Sequence, residues 1–319
     1  MMNKSNYTAA NAMPWKLLQT PNTIVNGGVV PYHIQLIPTN RCNGNCPWCS
    51  CSHVDRKLEL SISELMEIVD CYKQLGTKAI TITGGGEPTI HPQINNLLKH
   101  IKDNDIEIGI VTNGIAWTKV RAKRPVPDSC LTWVRISVTD TEGDYDVKII
   151  ETLANNLPSV DIGVSFTVTT HVNKTTARDI CQLVNFLPNV THIRFVQDII
   201  TASKMDSLAA MRWLETSCKD LTDKSIFQYR NLFKSGTKNC HISKLKPLIG
   251  ADGYVYPCCG VQYAGSELRT LPESFRMCKW DEFGGTEHFD GRVCSKCYYS
   301  DYNECLDRLL TPSAHQAFL

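Results

Sequence analysis

From residue 32 onward the chain alternates short apolar runs with amphipathic stretches, and this alternation constrains its fold class more than any other feature. Runs at 32–38, 79–83, 106–112, 133–138, 162–168 and 192–197 read as strands. Periodic stretches near 92–103, 145–155, 175–186 and 205–219 read as helices, and Ser61-Ile-Ser-Glu64 is a capping box opening a further helix that Gly76 ends. Strands separated by helices pair in parallel. Six such units cannot close an eight-stranded barrel, so the expectation is an α/β fold built as a partial, six-stranded βα barrel of TIM-like type, open on one side. Functional groups in such a fold collect at the C-terminal ends of the strands.

The loop after the first strand carries Arg41-Cys-Asn-Gly-Asn-Cys-Pro-Trp-Cys49, in which Cys42, Cys46 and Cys49 stand as Cys-x3-Cys-x2-Cys. Zinc sites usually fill four positions with paired Cys-x2-Cys knuckles. Three thiolates suit an iron-sulfur cube with one iron left open to a substrate or cosubstrate. Cys51, two residues on, would block that iron if it were a fourth ligand, so it is read as a non-ligand. After the second strand comes Thr83-Gly-Gly-Gly-Glu87-Pro88, where glycines permit close backbone approach and a carboxylate is suited to a cationic amino group. The third strand ends in Thr112-Asn113-Gly114 and the fourth in Arg135-Ile-Ser-Val-Thr-Asp140.

Taken together, these motifs resemble the radical S-adenosylmethionine (SAM) superfamily over roughly residues 32–200. The resemblance implies that Cys42, Cys46 and Cys49 hold a 4Fe-4S cluster whose open iron is chelated by SAM, which is cleaved reductively to methionine and a 5′-deoxyadenosyl radical that abstracts hydrogen from substrate. It implies that Gly85, Gly86 and Glu87 hold the SAM amino group and that the surroundings of Trp48 meet the adenine. Asn113 and Ser137 become ribose or methionine contacts. Arg194, in His192-Ile-Arg-Phe-Val-Gln197, becomes a partner for the SAM carboxylate, with an outward salt bridge as its structural alternative.

Seven of the fifteen cysteines fall in the last 80 residues. The pattern Cys240-x12-Gly253-x4-Cys258, then Cys294-x2-Cys297, resembles the twitch subdomain, a shortened relative of the SPASM domain, in which the matching cysteines hold one auxiliary 4Fe-4S cluster. Gly253 would turn a tight hairpin before Tyr254-Val-Tyr256. A structural zinc is the rival for these four thiols. Cys259, Cys278 and Cys305 are alternative ligands, whereas Cys71, Cys130, Cys181 and Cys218 read as small buried hydrophobes. The expected organisation is a lead-in over 1–31, a radical SAM partial barrel over 32–220, and a bridging segment with a small cysteine-rich, twitch- or SPASM-like domain over 221–319.

With 319 residues, 42% apolar, the chain can bury a large core. Its net charge of +1 is unlike that of a nucleic-acid binder, and the one dense basic run, Lys119, Arg121, Lys123 and Arg124, reads as a solvated face. No 18-residue apolar run or signal-peptide pattern is evident, so a cytoplasmic, non-membrane protein with reduced thiols is expected. The resemblance implies a reducing partner such as flavodoxin or ferredoxin and a peptide or small-molecule substrate, with nucleotides or nucleic acids as a third class. Four thiolates on an auxiliary cluster would suit electron transfer in an oxidation, crosslink or ring closure; a redox-neutral isomerisation or epimerisation is the alternative. A non-catalytic iron-sulfur carrier would have no use for the Gly-Gly-Glu segment.

Overall fold

The structure is a computed structural model that describes residues 30–116, 128–138, 144–170, 172–200, 204–230, 234–264 and 271–310. The lead-in except for its last two residues, the basic run from Lys119 to Arg124, and Asp140 lie outside the described residues.

Strands β1 (His33–Leu36), β2 (Ala79–Ile82), β3 (Glu107–Thr112), β4 (Trp133–Val138), β5 (Asp161–Val168) and β6 (Val190–Gln197) pair in sequence order, all parallel. Helices α1 (Ile62–Gln74), α2 (Ile94–Asp103), α3 (Asp144–Asn156), α4 (Lys174–Phe186) and α5 (Lys204–Cys218) stand at the expected places. Ser61 and Glu64 form the reciprocal capping box of α1, and Gly76 follows its C-cap at φ +104°.

Six strands were expected, but the series contains seven. Ser225–Gln228 forms β7, parallel to β6, inside the stretch read as a bridge. After helix α6 (Ile242–Leu245), strand β8 (Leu248–Ile249) pairs in parallel with β1 on the other edge, and the antiparallel strands β9 (Tyr254–Tyr256) and β10 (Cys278–Lys279) follow. Among the described residues the result is one continuous sheet of ten strands, β10-β9-β8-β1-β2-β3-β4-β5-β6-β7. The β8–β9 hairpin turns at Gly253, whose φ of +74° lies in the left-handed region, as the sequence predicted.

Strand alternation separates the two faces. Val134, Ile136 and Val138 of β4, Ile162, Val164, Phe166 and Val168 of β5, and Ile193 and Phe195 of β6 are all but inaccessible and join the helices in the main core. Burying each such side chain is worth about 1.5–3 kcal/mol. Arg135, Ser137, Gly163, Ser165, Thr167, His192 and Arg194 occupy the alternate positions, so the opposite face is polar. Cys130, Cys181 and Cys218 are buried as expected, and Cys71 is half-buried. Among the described residues no helix is long and apolar enough to cross a membrane.

Candidate functional site

The polar face opens into a cavity of about 620 Å³ at the C-terminal ends of the strands. Its walls include the cysteine loop from Gly44 to Ser50, Asn113 after β3, Ser137 on β4, Ser165 and Thr167 on β5, and Gln197 and Asp198 at the end of β6. Arg230 and Tyr263 complete the wall from beyond the expected barrel.

The loop is wound tightly around its sulfurs. The Gly44 N–H donates to Cys42 Sγ at 3.3 Å, the Cys51 N–H donates to Cys49 Sγ at 3.4 Å, and the Cys49 N–H closes a turn onto the Cys46 carbonyl at 3.1 Å. A Cβ built on Gly44 would stand 3.8 Å from both Cys42 Sγ and Cys46 Sγ, so these two sulfurs flank one backbone position. Amide donors of this kind stabilise thiolate charge. Cys51 is withdrawn: its buried thiol donates to Gln262 Oε1 at 2.7 Å, and burial followed by the neighbouring Cys49 charge pushes its pKa up to about 12. Three half-buried thiols at a cavity mouth, with the fourth held protonated, match the donor set of a three-ligand iron-sulfur cube.

Gly85, Gly86 and Glu87 do not reach the cavity wall. They lock the cysteine loop onto the sheet. Gly86 N donates to the Thr39 carbonyl at 3.2 Å and Glu87 N to the Arg41 carbonyl at 2.8 Å. A Cβ on Gly86 would lie 1.8 Å from the Arg41 carbonyl oxygen, and one on Gly85 would lie 2.0 Å from Asn40 Oδ1, so only glycine lets the two segments meet. The Glu87 carboxylate is 3% exposed and already bonded: Thr89 Oγ1, Thr112 Oγ1 and the amides of Thr89 and Asn113 all donate to it. Burial raises its pKa even against these four donors. Glu87 thus fixes the end of β3, and Asn113 in turn donates from Nδ2 to Asn43 Oδ1 of the cysteine loop at 2.8 Å.

Of the residues expected at the site, Cys46, Cys49, Trp48, Asn113 and Ser137 share the cavity wall. Arg194 lies behind it and donates from Nη2 to Ser165 Oγ at 3.1 Å. Sequence reasoning missed Ser165, Thr167, Gln197, Asp198, Arg230 and Tyr263 as wall residues. Period-two alternation along β5 carried a signal for Ser165 and Thr167; Arg230 had none, because β7 went unrecognised.

The other cysteines of interest gather around the β8–β9 hairpin. Cys240, Cys258, Cys294 and Cys297 pack with Ile37, Tyr256, Phe275 and Phe289. Burial first, and then neighbouring thiol charge, pushes Cys240 up to about 11 and Cys294 up to about 12, and burial followed by the charge of Cys259 raises Cys258 well above an ordinary thiol. Gly260 N donates to Cys258 Sγ at 3.3 Å and Tyr299 N to Cys297 Sγ at 3.4 Å. Among the described residues no three His, Cys, Asp or Glu side chains close on a single metal ion. Cys259 faces the Tyr299 hydroxyl at 3.8 Å, Cys278 lies in β10, and Cys305 is exposed on helix α7 (Ser300–Leu310).

Residues 36–149 match the family model of the radical SAM superfamily. Over 75 residues, 24% of its length, the chain is 40% identical to 7-carboxy-7-deazaguanine synthase of Haemophilus influenzae, and the match spans 33% of that enzyme. In solved structures the chain resembles Streptococcus suis SuiB bound to S-adenosylmethionine, at 16% identity and a TM-score of 0.53, covering 78% of this chain and 66% of SuiB. SuiB bound to the precursor peptide SuiA gives 14% identity and a TM-score of 0.55, covering 84% of this chain and 69% of SuiB. At these identities the likeness to SuiB is one of fold.

Proposed function

We propose that this chain is a radical SAM enzyme that cleaves S-adenosylmethionine reductively and abstracts hydrogen from a peptide or small-molecule substrate. The observation that carries the reading is the loop of three half-buried thiols, two of them on the cavity wall, from which Cys51 is withdrawn. A 4Fe-4S cluster held there would supply the electron that breaks a carbon-sulfur bond of the SAM sulfonium. Cys42, Cys46 and Cys49 hold the cluster, Trp48, Asn113 and Ser137 flank the cosubstrate, and Arg194 orients its carboxylate. Gly85, Gly86 and Glu87 serve SAM by fixing the loop and the end of β3. Cys240, Cys258, Cys294 and Cys297 hold an auxiliary 4Fe-4S cluster for electron transfer, and a flavodoxin or ferredoxin supplies the reducing electron. The precursor peptide on a protein of similar fold supports the peptide class.

Anaerobic reconstitution with iron and sulfide, followed by SAM, dithionite and chromatography for 5′-deoxyadenosine, tests this reading. Wild type gives product, whereas Cys42→Ala, Cys46→Ala and Cys49→Ala give none above the protein-free level. Undiminished product in any of the three variants overturns the ligand assignment.

A further inference from the structure

Four cations gather at and behind the cavity wall, and among the described residues none of them pairs with a carboxylate. The sheet register puts Arg135, Gly163 and His192 in one row and Ser137, Ser165 and Arg194 in the next, nearer the cavity. Arg230 follows β7 and lines the cavity directly, and Lys246, only 4% exposed, precedes β8. Nε of Arg194 and Nε of Arg230 are buried without any hydrogen-bond partner. Asp198 reaches the same wall, where its Oδ1 accepts from the Ile200 amide at 2.8 Å.

Buried charge without a counter-charge is costly. Burial depresses Arg135, Arg194 and Lys246, the neighbouring cations lower them further, and the Cys259 thiol, with Cys258 beside Lys246, opposes the shift; burial and the charges of Arg194 and Arg135 push His192 down to about 4. Arg230 is held in place rather than neutralised: it bonds the Tyr263 hydroxyl and lies over the rings of Tyr263 and Tyr298, 5.5 and 5.7 Å from their centroids. A guanidinium clamped this way keeps its planar fork oriented for an incoming anion. The sulfonium and ammonium of SAM outweigh its single carboxylate, which Arg194 takes, so SAM leaves Arg230 without a counter-charge.

We propose that Arg230, backed by Arg135 and Lys246, forms a subsite for an anionic group of the substrate, a carboxylate or a phosphate. This inference rests on the cavity being the chamber for SAM and substrate. Arg230 touches the anion, and Lys246 and Arg135 supply potential from behind.

Calorimetric titration of the anaerobically reconstituted protein with sodium pyrophosphate, and separately with sodium malonate, at saturating SAM tests the subsite. Saturable binding of either probe is expected, and preference for one identifies a phosphate or a carboxylate. Arg230→Gln and Lys246→Met should each weaken binding at least tenfold, with circular dichroism confirming the fold, and Arg230→Lys should recover part of the loss. Should Arg230→Gln fail to fold, Tyr263→Phe, which removes the hydroxyl bonded to Arg230, should still weaken the probe several-fold. No binding, binding indifferent to these substitutions, or binding that SAM abolishes overturns the proposal; the last result would assign the cations to the SAM carboxylate. Wild type that makes 5′-deoxyadenosine yet binds neither probe defeats the subsite alone. Protein that binds a probe but leaves SAM intact defeats the enzymatic reading instead.

Discussion

The two cysteine groups of this chain differ in what surrounds their sulfurs. Cys42, Cys46 and Cys49 sit half-buried on a loop at the mouth of a cavity, with backbone amides turned toward two of the three. Cys240, Cys258, Cys294 and Cys297 number four and pack against aromatic rings, where burial and mutual charge hold three of them well above an ordinary thiol. A set of three beside open space leaves room for an exchangeable ligand, whereas a set of four inside an apolar nest can saturate whatever it binds. The first arrangement suits bond-breaking chemistry, and the second suits storing or relaying an electron.

The sharpest way to break this comparison is at Gly86. A valine there would drive its Cβ into the Arg41 carbonyl, 1.8 Å away, and neither backbone can yield without releasing the cysteine loop. Gly86→Val should therefore abolish 5′-deoxyadenosine formation and lose about four irons per chain while the C-terminal set keeps its own. It should also lower stability by roughly 1–3 kcal/mol in urea unfolding. Full iron with normal product would show that the loop does not depend on the glycine segment.

Cys258→Ala gives the complementary result. Wild type should approach about eight irons per chain, the variant about four, with SAM still cleaved because the loop cluster remains. Iron near four in wild type and unchanged in the variant would dissolve the second group as a cluster site. Loss of SAM cleavage together with that iron would instead mean that the two groups are one folding unit. The sheet makes this a fair question, because β8 pairs directly with β1, the strand that leads into the cysteine loop.

What the sequence disclosed follows the same division. Residues 133–138 were read as a strand with both ends correct, and the Ser61 capping box and the Gly253 turn were legible because each is a local device with a local signature. Strand β7 was not, since Ser-Ile-Phe-Gln carries only two apolar residues between polar flanks, and with it went Arg230. Glu87 teaches a different limit. Its motif announced a site, but only the folded arrangement reveals that Thr89, Thr112 and Asn113 already occupy its carboxylate.

Cys51 offers the smallest effect and the finest distinction. Its sulfur lies two residues beyond Cys49, the sequence reads it as a non-ligand because a fourth thiolate would block the open iron, and in the fold its thiol donates to Gln262 while burial pushes its pKa up to about 12. Serine preserves the donor, so Cys51→Ser should cost about 1 kcal/mol or less through the shorter reach of the hydroxyl. Iron content and 5′-deoxyadenosine should stay at wild-type levels. A drop of about four irons per chain would make Cys51 a fourth thiolate. The loop would then be a closed nest like the C-terminal one, with no position left for SAM.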